Sequence, residues 1–112
     1  MTRINERPQR LYRRRTVRVI VEYVSDGGLA CDAATTLGAG GLFIETESPL
    51  IEGTHLKMRF TLPGSTRTHE IEGRVVWRSD AANDGSTTPG MGIEFTDRDA
   101  SNQLARELEH LD

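Results

Sequence analysis

Seven arginines crowd the first eighteen residues, and two of them, Arg14 and Arg18, stand four apart where a polar segment runs into an apolar one. A guanidinium is permanently charged and offers a planar fork of donors that matches phosphate oxygens two at a time. It also stacks its flat face on a ring or base. Two such forks at the entry to a folded domain suit a ligand that carries both phosphate and base. A second stretch, Thr36-Leu37-Gly38-Ala39-Gly40-Gly41, holds glycines that permit positive φ and close backbone approach. Consecutive N–H groups in such a turn can form a nest for an anion. The alternative for this stretch is a tight turn or bulge between strands, with no ligand.

Other chemistry is poorly served. His55, His69 and His110 are scattered, without cysteines or carboxylates at metal-ligand spacing, so no metal site is expected. Cys31 is the only cysteine, which rules out an internal disulfide, and its place in an apolar stretch reads as a small buried side chain. There is no Gly-x-Ser-x-Gly and no phosphate loop ending in Gly-Lys-Ser/Thr. No pair of carboxylates stands out for acid–base work. No catalytic residue, enzyme activity or cofactor is expected.

The elements that must position these residues are mostly strands. Val17, Val19, Val21 and Tyr23 alternate with Arg18, Ile20, Glu22 and Val24, the period of two of a half-buried strand. Leu29 to Thr36 is a weaker second strand, and Leu42 to Thr46 a third. Leu56, Met58, Phe60 and Leu62 form the clearest alternation. Ile71, Gly73, Val75 and Trp77 are expected on one face of a fifth strand, and Met91, Ile93 and Phe95 on one face of a sixth. Only the end reads as helical. Asp99 is placed to cap a helix from Ala100 to Leu111, with Leu104, Leu108 and Leu111 on one face. Six short strands and one terminal helix describe a small antiparallel barrel or sandwich.

At 112 residues the chain is sized for one domain. The formal net charge is −3, but residues 1–18 hold seven arginines against one acid, and the remainder seven basic side chains against sixteen acids. This asymmetry suggests a basic arm with an anionic partner, or one that docks on its own acidic domain. Nucleic acid is not the expected partner, because binding it would need a stacking platform and the strands promise few exposed aromatics. No apolar run approaches the roughly 20 residues that span a bilayer, so a cytoplasmic protein without a membrane span is expected.

Taken together, these motifs resemble the PilZ domain, the bacterial receptor module for cyclic di-GMP. Arg14-x-x-x-Arg18 matches the family's Arg-x-x-x-Arg arm. Gly41-Leu42-Phe43-Ile44-Glu45-Thr46 matches the end of its Asp/Asn-x-Ser-x-x-Gly motif and the strand after it. Pro49 to Thr54, Gly73 to Trp77 and Gly90 to Phe95 resemble later segments. The resemblance spans about residues 9–111. It implies a six-stranded antiparallel Greek-key β-barrel with one C-terminal helix. The expected layout is a flexible basic arm over 1–18 and a barrel over 19–112, with the helix at about 99–111. It also implies cyclic di-GMP as ligand, held by Arg14, Arg18, Thr36, Gly38 and Gly41, with Arg13 as a further contact. The departure is in the second motif, where Thr36 stands for Asp/Asn and Gly38 for Ser. Two functions follow from the resemblance. One is a cyclic di-GMP receptor that signals through ordering of its arm and binding of a protein partner. The other is a protein–protein adaptor for motility or surface machinery that has lost the nucleotide.

Overall fold

The structure, a computed structural model, describes residues 14–26, 28–79 and 88–110, with side chains in the first strand from Val17 onward. Among the described residues six strands, β1 (Arg14–Ser25), β2 (Gly28–Gly38), β3 (Gly41–Glu45), β4 (His55–Thr61), β5 (Thr68–Ser79) and β6 (Gly90–Phe95), precede one helix, α1 (Arg98–Glu109). The strands close into an antiparallel barrel in the order β1-β2-β3-β6-β5-β4, with β4 returning to β1. Two meanders, β1-β2-β3 and β4-β5-β6, join so that β4 lies beside β1. This is a Greek key. Closure settles the choice between barrel and sandwich left open by the strand pattern.

Alternation explains the core. Val19, Val21 and Tyr23 of β1, Leu56, Met58 and Phe60 of β4, and Ile71 and Val75 of β5 all point inward and are buried. Tyr23 is the polar member of the buried β1 trio. Its hydroxyl donates to Asp32 Oδ2 at 2.7 Å, and burial pushes its phenol well above the usual value. Gly28 closes the β1–β2 turn at φ +108°, a conformation that favours glycine. β2 shows little alternation because its ladders slip twice. Register shifts fall between Thr16 and Val19 on the β1 side and between Ala34 and Thr36 on the β3 side.

Three readings of side-chain placement change. Trp77 does not share the inward face of Ile71, Gly73 and Val75. A register shift between Val75 and Trp77 inserts Val76 as an extra residue, so Trp77 turns outward and is 48% exposed. Cys31 is exposed, not buried, because β2 turns Asp32 toward Tyr23 and leaves Cys31 cross-strand from the exposed Glu22. The helix starts two residues early, with Asp97 rather than Asp99 as cap, its Oδ1 accepting from Ala100 N at 3.1 Å. Leu111 lies outside the described residues.

Helix α1 buries Leu104 and Leu108 against the barrel and is tied at both ends. Ser101 Oγ donates to the Ala39 carbonyl at 2.5 Å in the β2–β3 turn. Ser65 Oγ, in the β4–β5 turn, donates to Glu107 Oε2 at 2.5 Å, and the buried His69 bonds the other oxygen of that carboxylate. Among the described residues no helix is long and apolar enough to cross a membrane.

Candidate functional site

The two sequence motifs meet at the start of the barrel. Arg14 is the Cα partner of Gly38, and Thr16 of Thr36. The basic segment therefore enters the domain as a strand lying against the segment singled out on β2. From Thr36 one register row continues around the barrel, through Phe43 on β3 and Gly92 on β6 to Trp77 on β5. Residues in register share a face. Leu42 and Ile44 are buried, so Phe43 faces outward, and Thr36 and Trp77 flank it on the outer wall.

Gly92 makes this row unusual. Strands lie about 4.8 Å apart, so side chains two strands apart ordinarily stand about 10 Å from each other. Phe43 and Trp77 are separated by β6, yet their ring centroids are 5.3 Å apart with planes 21° from parallel. They meet over Gly92, where a Cβ would fall 2.2 Å from Trp77 Nε1. Gly90 serves the other edge in the same way, its absent Cβ leaving room for Phe43 Cζ. The pair borders a groove of about 420 Å³ whose lining includes Gly38, Gly40, Gly41, Phe43, Trp77 and Gly92.

Arg18 reaches the same wall from β1. Its Nη2 lies 3.5 Å from Glu45 Oε1, and Glu45 projects outward two residues after Phe43. On the far side of the groove, Arg74 and Glu94 pair at 3.0 Å. The wall thus combines an arginine, a hydroxyl, bare backbone and an aromatic pair. These are components suited to a phosphate-bearing, base-bearing ligand.

The turn itself differs from the nest expected of it. Among the described glycines only Gly28, Gly53 and Gly64 have positive φ. Gly38, Gly40 and Gly41 are thus not in the alternating conformation that builds a nest. Gly41 is required for a different reason. A Cβ there would sit 2.1 Å from the carbonyl oxygen of Ile93 on β6. Gly38 is buried in β2 and presents no side chain.

Of the residues proposed from sequence, the structure brings Arg14, Thr36, Gly38 and Gly41 to one end of the β1-β2-β3 wall, with Arg18 reaching across it to Glu45. Arg13 and the side chain of Arg14 lie outside the described residues. Glu45 and the Phe43–Trp77 pair were not singled out. A larger, more open groove of about 900 Å³ lies between the β4–β5 turn and the last turns of α1. Two of its polar groups, Ser65 and Glu107, are already bonded to each other. Among the described residues no three His, Cys, Asp or Glu side chains converge as metal ligands.

A closed six-stranded Greek-key barrel with one helix packed on it defines a class of small β-barrel domains. The PilZ domain profile matches residues 8–111, and the chain belongs to that family. Solved structures with the same fold include the Bacillus subtilis inhibitor of motility MotI/DgrA, at 20% identity and TM-score 0.69, covering 86% of this chain and 47% of that one. The chain thus spans about half of that protein's length. The PilZ domain of YcgR from Escherichia coli, solved with c-di-GMP, matches at 18% identity and TM-score 0.69, covering 89% and 88%. The PilZ domain of CeSA from a cellulose-synthesizing bacterium matches at 19% identity and TM-score 0.63, covering 87% and 98%. No match emerges among characterised protein sequences.

Proposed function

We propose that this chain is a cyclic di-GMP receptor that passes its binding state to a protein partner. The ligand lies on the outer wall of β1-β2-β3, its phosphates toward Arg14 and Arg18 and its bases toward Thr36, Gly41 and the Phe43–Trp77 pair. The observation that carries the reading is register. Arg14 stands cross-strand from Gly38, and Thr36 from Phe43, so both motifs and the aromatic pair share one wall. Arginine contacts made by the first strand would link the ligand to the segment before it. A ligand that binds the ordered arrangement better shifts the population toward it.

Magnitudes decide whether Thr36 and Gly38 abolish such binding. Losing one neutral and one charge-assisted hydrogen bond costs about 2–4.5 kcal/mol, roughly one to three orders of magnitude in affinity. Stacking a base on an aromatic side chain contributes about 1–3 kcal/mol. Trp77, half exposed beside the groove, offers such a surface. The two effects are of similar size, so the arginines are left with a usable share of the affinity.

Titration calorimetry near 0.15 M salt tests the reading. Saturable cyclic di-GMP binding is expected in the wild type, and Arg14→Ala and Arg18→Ala should each remove it. Unchanged affinity in either variant would take that arginine out of the site. One observation favours the adaptor reading. Gly38 is buried and side-chain-free where the family carries serine. On that reading calorimetry is silent up to about millimolar ligand, and a partner complex forms equally well with and without nucleotide. The likeness to an inhibitor of motility makes motility or surface machinery the first place to seek that partner.

A further inference from the structure

We infer that Glu45 is a specificity-determining residue of the proposed ligand face, setting affinity and charge preference by competing with ligand phosphate for Arg18; the inference rests on the receptor reading above. Arg18 Nη2 lies 3.5 Å from Glu45 Oε1, with the arginine side chain 66% exposed and the glutamate 27%. A guanidinium offers the same donor fork to a carboxylate as to a phosphate. Contact with one uses donors needed for the other.

The fold fixes Glu45 in this position. Leu42 and Ile44 are buried on the inner side of β3, so Phe43 and Glu45 both project outward. Glu45 is in register with Gly90, which has no side chain to screen it. Among the described side chains of the wall, Arg18 is its ion-pair partner. A ligand phosphate brought to Arg18 therefore also arrives beside a carboxylate, and the repulsion grows with the charge on the ligand. Two phosphodiesters carry one charge each. A ring-opened dinucleotide with a terminal phosphomonoester carries close to two on that group alone. Glu45 should therefore disfavour the ring-opened form more than the cyclic one. Arg18 is largely exposed and the contact is long at 3.5 Å, so the pair is weak and lowers affinity without closing the site.

The test measures cyclic di-GMP and its ring-opened, terminally phosphorylated form against wild type, Glu45→Gln and Glu45→Asp. Calorimetry or the fluorescence of Trp77 reads binding, and thermal melts confirm folding. Glu45→Gln should tighten the cyclic ligand about 2- to 5-fold and the ring-opened one by more. Glu45→Asp keeps the charge but shortens the reach to Arg18, so its cyclic-ligand affinity should move toward that of Glu45→Gln. Unchanged or weaker binding in Glu45→Gln would overturn the inference and make Glu45 a support for Arg18. Aspartate matching wild type while glutamine tightens would also overturn it, leaving a diffuse charge effect in place of competition. Absence of binding in both wild type and Glu45→Gln would instead overturn the receptor reading on which the inference rests.

Discussion

The aromatic pair depends on a missing side chain. Phe43 and Trp77 touch because β6 places Gly92 between them. Gly92→Ala would put a methyl group 2.2 Å from Trp77 Nε1. The indole is the movable partner, so it should swing into solvent while the barrel stays closed. The expected outcome is a red-shifted emission from the chain's one tryptophan and a stability loss of about 1–3 kcal/mol, read by fluorescence and urea unfolding. Gly41→Ala makes the contrast. Its Cβ would meet the Ile93 carbonyl oxygen at 2.1 Å, and a backbone atom in a ladder cannot swing away. That variant should lose more stability than Gly92→Ala in the same experiment. The proposed site was partly legible in the sequence at this scale. The Arg14–Arg18 spacing and the Thr36–Gly41 stretch could be read because they are local. The Phe43–Trp77 pair could not, since it joins residues 34 apart in the chain through a third strand and a one-residue bulge at Val76. A bulge shifts the inward–outward assignment of every residue beyond it, and no sequence signal marks it here. Cys31 was misplaced for a related reason. β2 is rich in alanine and threonine, so its alternation gave no clear face.

Helix α1 is held by a clasp that its apolar stripe does not reveal. Leu104 and Leu108 announce the packing face, but Glu107 beside them accepts from Ser65 Oγ and bonds the buried His69. These bonds, with Ser65 the largest contributor, hold the Glu107 carboxyl below its usual value of 4.5. An ionised carboxylate can only accept, so His69 Nε2 carries the proton between them. His69 also lies against the Phe60 ring, with centroids 5.8 Å apart. The sign of the pH effect follows from linkage. A carboxyl whose folded value is lowered contributes stability that is fully present above 4.5 and is lost as pH falls through the folded value. Urea midpoints measured from pH 6 downward should therefore fall less in Glu107→Gln than in wild type. At neutral pH, Glu107→Ala should cost about 1–3 kcal/mol, because it leaves a buried donor on His69 unmatched. Equal acid sensitivity in wild type and Glu107→Gln would assign the pH response to other groups. The histidines had looked scattered along the chain because the clasp spans residues 65, 69 and 107, and only the barrel brings them together.

At the scale of the whole molecule, the proposed ligand face is tied into the core. Ser101 of α1 holds the Ala39 carbonyl, and Phe95 N on β6 donates to the Gly40 carbonyl at 3.0 Å. The turn next to Thr36 and Gly38 is therefore fastened to the helix and to the last strand, and its loosening would disturb both. A ligand on this wall should stabilise the barrel as one unit, and heat should reveal a single transition. At free ligand 100 times the dissociation constant, linkage contributes about 2.7 kcal/mol. For a domain near 100 residues each kcal/mol moves the midpoint by about 4–8 °C, so the wild type should melt upward of 10 °C higher with saturating cyclic di-GMP. Arg18→Ala, mixed with the same ligand, should show no such shift, since its side chain is exposed and its loss leaves the core intact. An equal shift in both proteins would place the ligand away from the first strand. A shift in neither, alongside silent calorimetry, would fit the adaptor. In that case the same wall, with its Phe43–Trp77 pair and Arg18–Glu45 contact, becomes the first surface to mutate in the search for a protein partner.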